Sequence, residues 1–78
     1  MKLEIITPEK SVFSGEVSLV QLPGIDGLFE ILEHHAPLVA ALQKGRVKIN
    51  GQDEKEQYFD INGGVAEVLD GKVLILAE

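Results

Sequence analysis

Cysteine and tryptophan are absent from this chain of 78 residues. Without cysteine there is no disulfide framework, no thiolate metal site and no cysteine nucleophile, and a reducing compartment is favoured. Positive charge is scarce: 7 Lys and Arg stand against 13 Asp and Glu, for a formal net charge of −6. Binding to nucleic acid needs a basic stripe that displaces counterions. The one basic cluster, Lys44, Arg46 and Lys48, is followed closely by Asp53, Glu54 and Glu56, which argues against both nucleic acid and anionic lipid as partners. Long hydrophobic runs are also missing. The longest, Pro37–Leu42 and Val73–Ala77, fall far below the ~20 residues of a membrane-spanning helix. Lys2 followed by alternation is not a secretory signal. A soluble, cytoplasmic protein of a single domain over residues 1–78 is expected, one that buries only ~60–65% of its unfolded surface.

What remains is a succession of short alternating segments. Met1–Thr7 reads as a strand with Leu3, Ile5 and Thr7 on one face, stopped by Pro8. Glu9–Ser11 reads as a turn, Val12-Phe13 as a short apolar pair, and Ser14-Gly15 as a second turn signal. In Glu16–Leu22, Val17, Leu19 and Gln21 share one face and Ser18, Val20 and Leu22 the other. Leu28–Leu32 is a further strand. Pro37–Leu42 fits a strand by its apolar run, although alanine is a poor strand former. Arg46–Ile49 alternates with Val47 and Ile49 inward, Asn50-Gly51 signals a tight turn, and Tyr58–Ile61 returns. Gly63-Gly64 marks a bulge or a close backbone approach, and Asp70-Gly71 joins Val65–Leu69 to Lys72–Ala77 in the clearest hairpin. No long stretch holds helical periodicity. The fold class is all-β, a small two-layer sandwich or flattened barrel of about eight to ten short strands.

The chemistry-bearing residues concentrate between Gly24 and Leu38. His34-His35 has no third histidine to complete a zinc site, and adjacent residues on a strand point to opposite faces. The plainer expectation is one solvated histidine and one bonded to backbone in the turn before Pro37. Ser11, Ser14 and Ser18 lie in no nucleophile-elbow motif. Gly24-Ile25-Asp26-Gly27 lacks the following helix and the lysine of a phosphate-binding loop, and reads as a tight loop with positive φ at one or both glycines. Lys44 and Lys72 stand in turns but lack the signature of a lipoyl or biotinyl acceptor lysine, so an acidic carrier or binding module is the second reading. No catalytic group, cofactor site or metal site is expected.

In order along the chain, Phe13-Ser14-Gly15, the loop Gly24 to Gly27 with Phe29, the tetrapeptide His35-Ala36-Pro37-Leu38, Gly63-Gly64 with Glu67-Val68, and the closing Leu76-Ala77-Glu78 resemble the N-terminal β-sandwich domain of the F-type ATP synthase epsilon subunit. Asn62 stands where that family usually has serine, and Leu32-Glu33-His34 where it often carries Pro, Gly or Asn. The resemblance implies a non-catalytic rotor part that couples the gamma subunit to the c-ring during ATP synthesis and proton transport. It would lie peripherally at the cytoplasmic face of the inner membrane, as part of the complex and without inserting into the bilayer. By the same resemblance, Asp26, Gly27, Leu28 and Phe29 face the c-ring, while His35, Ala36, Pro37 and Leu38 face gamma. Most members continue into a C-terminal helical hairpin used to inhibit hydrolysis or bind ATP. This sequence ends at the last sandwich strand, so neither role is expected by that route, and the start at Met1 favours a natural short form.

Overall fold

The computed structural model describes residues 1–78, and every regular element in it is a strand. These are β1 (Lys2–Ile6), β2 (Ser11–Gly24), β3 (Gly27–Leu32), β4 (Leu38–Leu42), β5 (Gly45–Gly51), β6 (Glu56–Ile61), β7 (Gly64–Leu69) and β8 (Lys72–Ala77). They form one continuous sheet in the order β1-β8-β7-β4-β2-β5-β6, with β3 on β2 and a closing pair between β1 and β2. All pairings are antiparallel except β1 with β8. The sheet folds over itself into two layers that share β2. One layer is β4-β7-β8-β1 with the first half of β2, and the other is β3, the second half of β2, β5 and β6.

The core lies between the layers. Leu3, Ile5, Val17, Val20, Leu22, Ile31, Val47, Ile49, Val73 and Ile75 are its largest wholly buried side chains, and no charged or polar residue is buried among them. Phe13 of β2 and Phe59 of β6 meet across it with ring centroids 5.7 Å apart. Alternation explains most of this: apolar residues two apart fall on the inward face of each strand.

β2 departs from the sequence expectation in two ways. First, Ser14-Gly15 is not a turn. β2 runs unbroken for 14 residues, and Ser14 and Gly15 pair with Glu4 and Leu3 of β1. Hydrogen bonding to a neighbouring strand overrides the local turn preference. Gly15 lacks a Cβ where one would meet the Phe13 ring at 3.2 Å. Second, Val17 and Leu19 do not share a face. The register steps from Val17↔Gly51 to Leu19↔Asn50, so Ser18 is an extra residue opposite one step of β5. This bulge shifts the inward set from Val17 to Val20 and Leu22, and leaves Leu19 half-buried. A bulge bends a strand and sharpens its twist. It sits where β2 passes from pairing with β1 to pairing with β5 and β3.

The β5–β6 reversal also differs. Asn50 pairs with Glu56, and Gly51 ends β5. The chain turns at Gln52–Glu54, closed by Gly51 N–H to Lys55 C=O at 3.0 Å, with Glu54 rather than the Asn-Gly pair at positive φ (62°). Asp53 Oδ1 accepts from Lys55 N–H at 3.1 Å, the local side-chain bond that lets a non-glycine turn form. The Asp70-Gly71 hairpin stands as expected, with both residues at positive φ (52° and 74°).

Candidate functional site: an apolar concavity beside the β2–β3 turn

β2 and β3 pair up to Gly24↔Gly27, leaving Ile25-Asp26 as a two-residue tip. Gly27 takes φ 125°, while Gly24 has ordinary φ and is glycine for a different reason. A Cβ there would stand 2.9 Å from the Phe29 ring, which folds back over the strand and packs against the core. The tip is tied to β4: Ile25 N–H donates to Ala41 C=O (3.1 Å), Gln43 N–H to Pro23 C=O (2.8 Å), and the Gln43 side-chain amide to Gly24 C=O (2.8 Å). Asp26 and Leu28 are exposed, Leu28 at 68%.

The β3–β4 connection carries the two histidines. His34 adopts φ 65°, and Glu33 before it is held by the ammonium of Met1, which also donates to Val17 C=O at 3.0 Å. The hydrogen bond from that ammonium pulls the Glu33 carboxyl below 4.5 against the opposing effect of desolvation, with the charges of the ammonium and of His34 adding to the pull. Both histidines are exposed, and His35 Nδ1 lies 2.7 Å from Ala36 C=O, the backbone contact expected of a turn histidine. No three His, Cys, Asp or Glu side chains gather as a metal site would require. None of the four surface concavities is lined by either histidine.

The most developed concavity is open, about 440 Å³, and runs between the β2–β3 tip and β4. The resemblance implies one interface for Asp26, Gly27, Leu28 and Phe29 and another for His35, Ala36, Pro37 and Leu38. The structure brings the first four together with Leu38 in this one concavity. Pro37 and Leu38 line a shallower one beside Val39, Glu67, Val68 and Leu69, whereas His35 and Ala36 line neither. Leu38, which the resemblance turns toward gamma, is half-buried and packs on the core.

Sequence reasoning missed the apolar residues that face outward. Val39 is 70% exposed opposite Glu67, and the rungs Ala41↔Val65 and Val65↔Leu76 carry apolar residues outward across β4, β7 and β8, with exposed Leu69 on the far side of Glu67. The available signal was apolar residues in both phases of these strands, which marks burial on two sides. By contrast, the outer face of β5–β6 is polar and internally neutralised. Arg46 pairs with Asp60 (3.6 Å) and lies 5.3 Å from the Tyr58 ring, and Lys48 pairs with Glu56 (3.6 Å). Two of the three cations in the basic cluster are thus matched by acids. Lys72 is a strand residue opposite Leu69, not a hairpin tip.

A family model for the β-sandwich domain of the ATP synthase delta/epsilon chain matches residues 1–78. The chain belongs to this family. Among its relatives, the ATP synthase epsilon chain of Chlorobium limicola is 51% identical over 77 residues, which is 99% of this chain and 88% of that protein. The epsilon chain of Protochlamydia amoebophila is 43% identical over 97% of this chain but only 52% of its own length. A chain of the Euglena gracilis mitochondrial ATP synthase, solved with OSCP, F1 and c-ring, superposes with a TM-score of 0.90 at 25% identity. That match covers 96% of this chain and 48% of the other. The family's epsilon subunits are a non-catalytic part of a membrane-associated complex. No helix here is long and apolar enough to cross a membrane.

Proposed function

We propose that this chain is a rotor subunit of a proton-translocating ATP synthase, joining the gamma subunit to the c-ring and turning with both. The observation that carries the reading is an apolar surface on a stiff scaffold in a chain matched by the delta/epsilon family over its whole length. Ile25, Leu28 and Val39 are 61%, 68% and 70% exposed around one concavity, and exposed apolar clusters of this kind mark protein interfaces. A coupling part needs no reacting group. It needs two contacts held at fixed separation under torque. β1, β7 and β8 are each paired on both sides, and the β2–β3 tip is braced to β4 and to Gln43 just after it by three hydrogen bonds.

Asp26, Gly27 and Leu28 at that tip face the c-ring, with the half-buried Phe29 packed against the core behind them. Asp26 pairs with basic groups on the polar loops of the ring. His35, Ala36, Pro37 and Leu38 lie toward gamma, continuous with Val39. The subunit sits peripherally at the membrane, held there by the complex. A calorimetric titration against the cognate gamma subunit tests the reading, with the His35–Leu38 segment mutated in parallel. One-to-one binding that weakens in the mutant supports it. No binding to folded gamma refutes it. For the c-ring contact, Asp26→Lys should lower ring affinity and alter its salt dependence; an unchanged profile removes Asp26 from the interface.

A further inference from the structure

β4 is paired on one side along its whole length and on the other almost nowhere. β7 meets every residue from Leu38↔Val68 to Leu42↔Gly64. β2 meets it at a single bridge, Gly24↔Leu42, and then turns away at Ile25-Asp26 into β3. Had β2 run straight on, it would have covered Ala40 to Leu38. Ala41 C=O accepts from Ile25 N–H and so points away from β7. Alternate residues of an antiparallel ladder direct their backbone groups to the same side. The Val39 N–H and C=O and the Ala41 N–H therefore point the same way, into the open concavity.

Such an edge is a template for another strand. Proteins usually blunt exposed edges with charge or proline, and β6 does so with Glu56 and Asp60. Leu38-Val39-Ala40-Ala41-Leu42 has neither. Its opposite wall is apolar too, formed by Ile25, Leu28 and Phe29, and the single charged residue lining the space is Asp26. With no cation in the lining, an acidic strand is disfavoured. A second copy of this chain is disfavoured as well, because β4–β4 pairing would draw together two Asp26 carboxylates and two molecules of net charge −6.

We propose that an extended, apolar, uncharged or basic segment of gamma adds to β4 as an antiparallel strand along the line that β2 vacates. This rests on the rotor reading and specifies how gamma is held.

The test compares Val39→Pro with Val39→Thr. Proline removes the N–H that faces open space in the free chain, a position where edge strands accept it. Threonine keeps the N–H and the β-branched shape. Calorimetry with gamma should show Val39→Pro weaker than Val39→Thr by about tenfold or more, the scale of one lost backbone bond with its neighbours displaced. Amide exchange on the wild-type complex should slow at Val39 and Ala41. Equal binding by the two variants, or unprotected amides in the wild-type complex, overturns strand addition while leaving the rotor reading standing. If Val39→Pro does not fold, the exchange measurement alone decides. If wild type does not bind gamma, the rotor reading falls and this proposal with it. A wild-type dimer in sedimentation that Val39→Pro abolishes assigns the edge to a second copy and overturns the proposal.

Discussion

Gly64 is the position where a single methyl group should do most damage. It pairs with Leu42 on one side and Ala77 on the other, at φ 144°. A Cβ built there lies 2.1 Å from Leu76 C=O and 3.0 Å from Ala77 Cα. Backbone oxygen tolerates carbon no closer than about 3.3 Å, so β8 must withdraw from β7 by roughly 1 Å. Two costs follow. Holding alanine in this backbone region costs about 1–3 kcal/mol. Pulling the end of β8 away weakens about two ladder hydrogen bonds, each about 0.5–1.5 kcal/mol. The sum is about 2–6 kcal/mol, against a total stability for a domain of this size of about 4–12 kcal/mol. Gly27→Ala separates the two contributions. Gly27 also has positive φ, 125°, but a Cβ there meets nothing within 4 Å, so only the conformational cost applies. Urea unfolding followed by far-ultraviolet circular dichroism should place Gly64→Ala below Gly27→Ala by about 1–3 kcal/mol, with a Tm lower by about 4–24 °C. If the two variants agree within about 0.5 kcal/mol, the close approach of β7 and β8 carries no energetic weight and the reasoning fails.

Tyr58 is the only tyrosine and there is no tryptophan, so the phenol can be titrated by its ultraviolet absorbance without interference. Its O–H donates to Glu56 Oε2 at 2.8 Å; that bond, with desolvation and the carboxylate's charge, raises its pKa above 10.0, and Glu56→Gln should bring the midpoint back down. The Glu33 carboxyl is depressed in the folded state, so its contribution to stability is present above 4.5 and lost as pH falls through the folded value. Stability should therefore fall more steeply with acid below 4.5 in wild type than in Glu33→Gln, and identical pH profiles for the two would refute the ion pair. Ile31 is wholly buried opposite Val20 on β3, a strand held by β2 alone. Ile31→Ala should cost about 2–5 kcal/mol in denaturant unfolding, and a loss below about 1 kcal/mol would mean that β3 is not anchored by this side chain.

Period-two alternation needs only neighbouring residues to be legible, and it was enough to read the all-β class, the inward faces of β1 and β5, and the Asp70-Gly71 hairpin from sequence. The glycine pair at 63–64 was legible for a related reason, since few positions outside a close backbone approach call for two glycines where a strand begins. Belonging to the delta/epsilon family was also written locally, in short motifs such as His35-Ala36-Pro37-Leu38. The tertiary structure alone decided the rest. Ser14-Gly15 and Asn50-Gly51 look like turns by themselves, and become strand once β1 and β6 supply hydrogen-bond partners. The bulge at Ser18 follows from β2 having to serve both layers, which no local pattern encodes. The concavity has the same origin. Leu28 and Val39 lie eleven positions apart in sequence and line one space because β2 leaves β4 after a single bridge. A strand's sequence fixes which side chains share a face; which of its edges stays unpaired depends on where the other strands go.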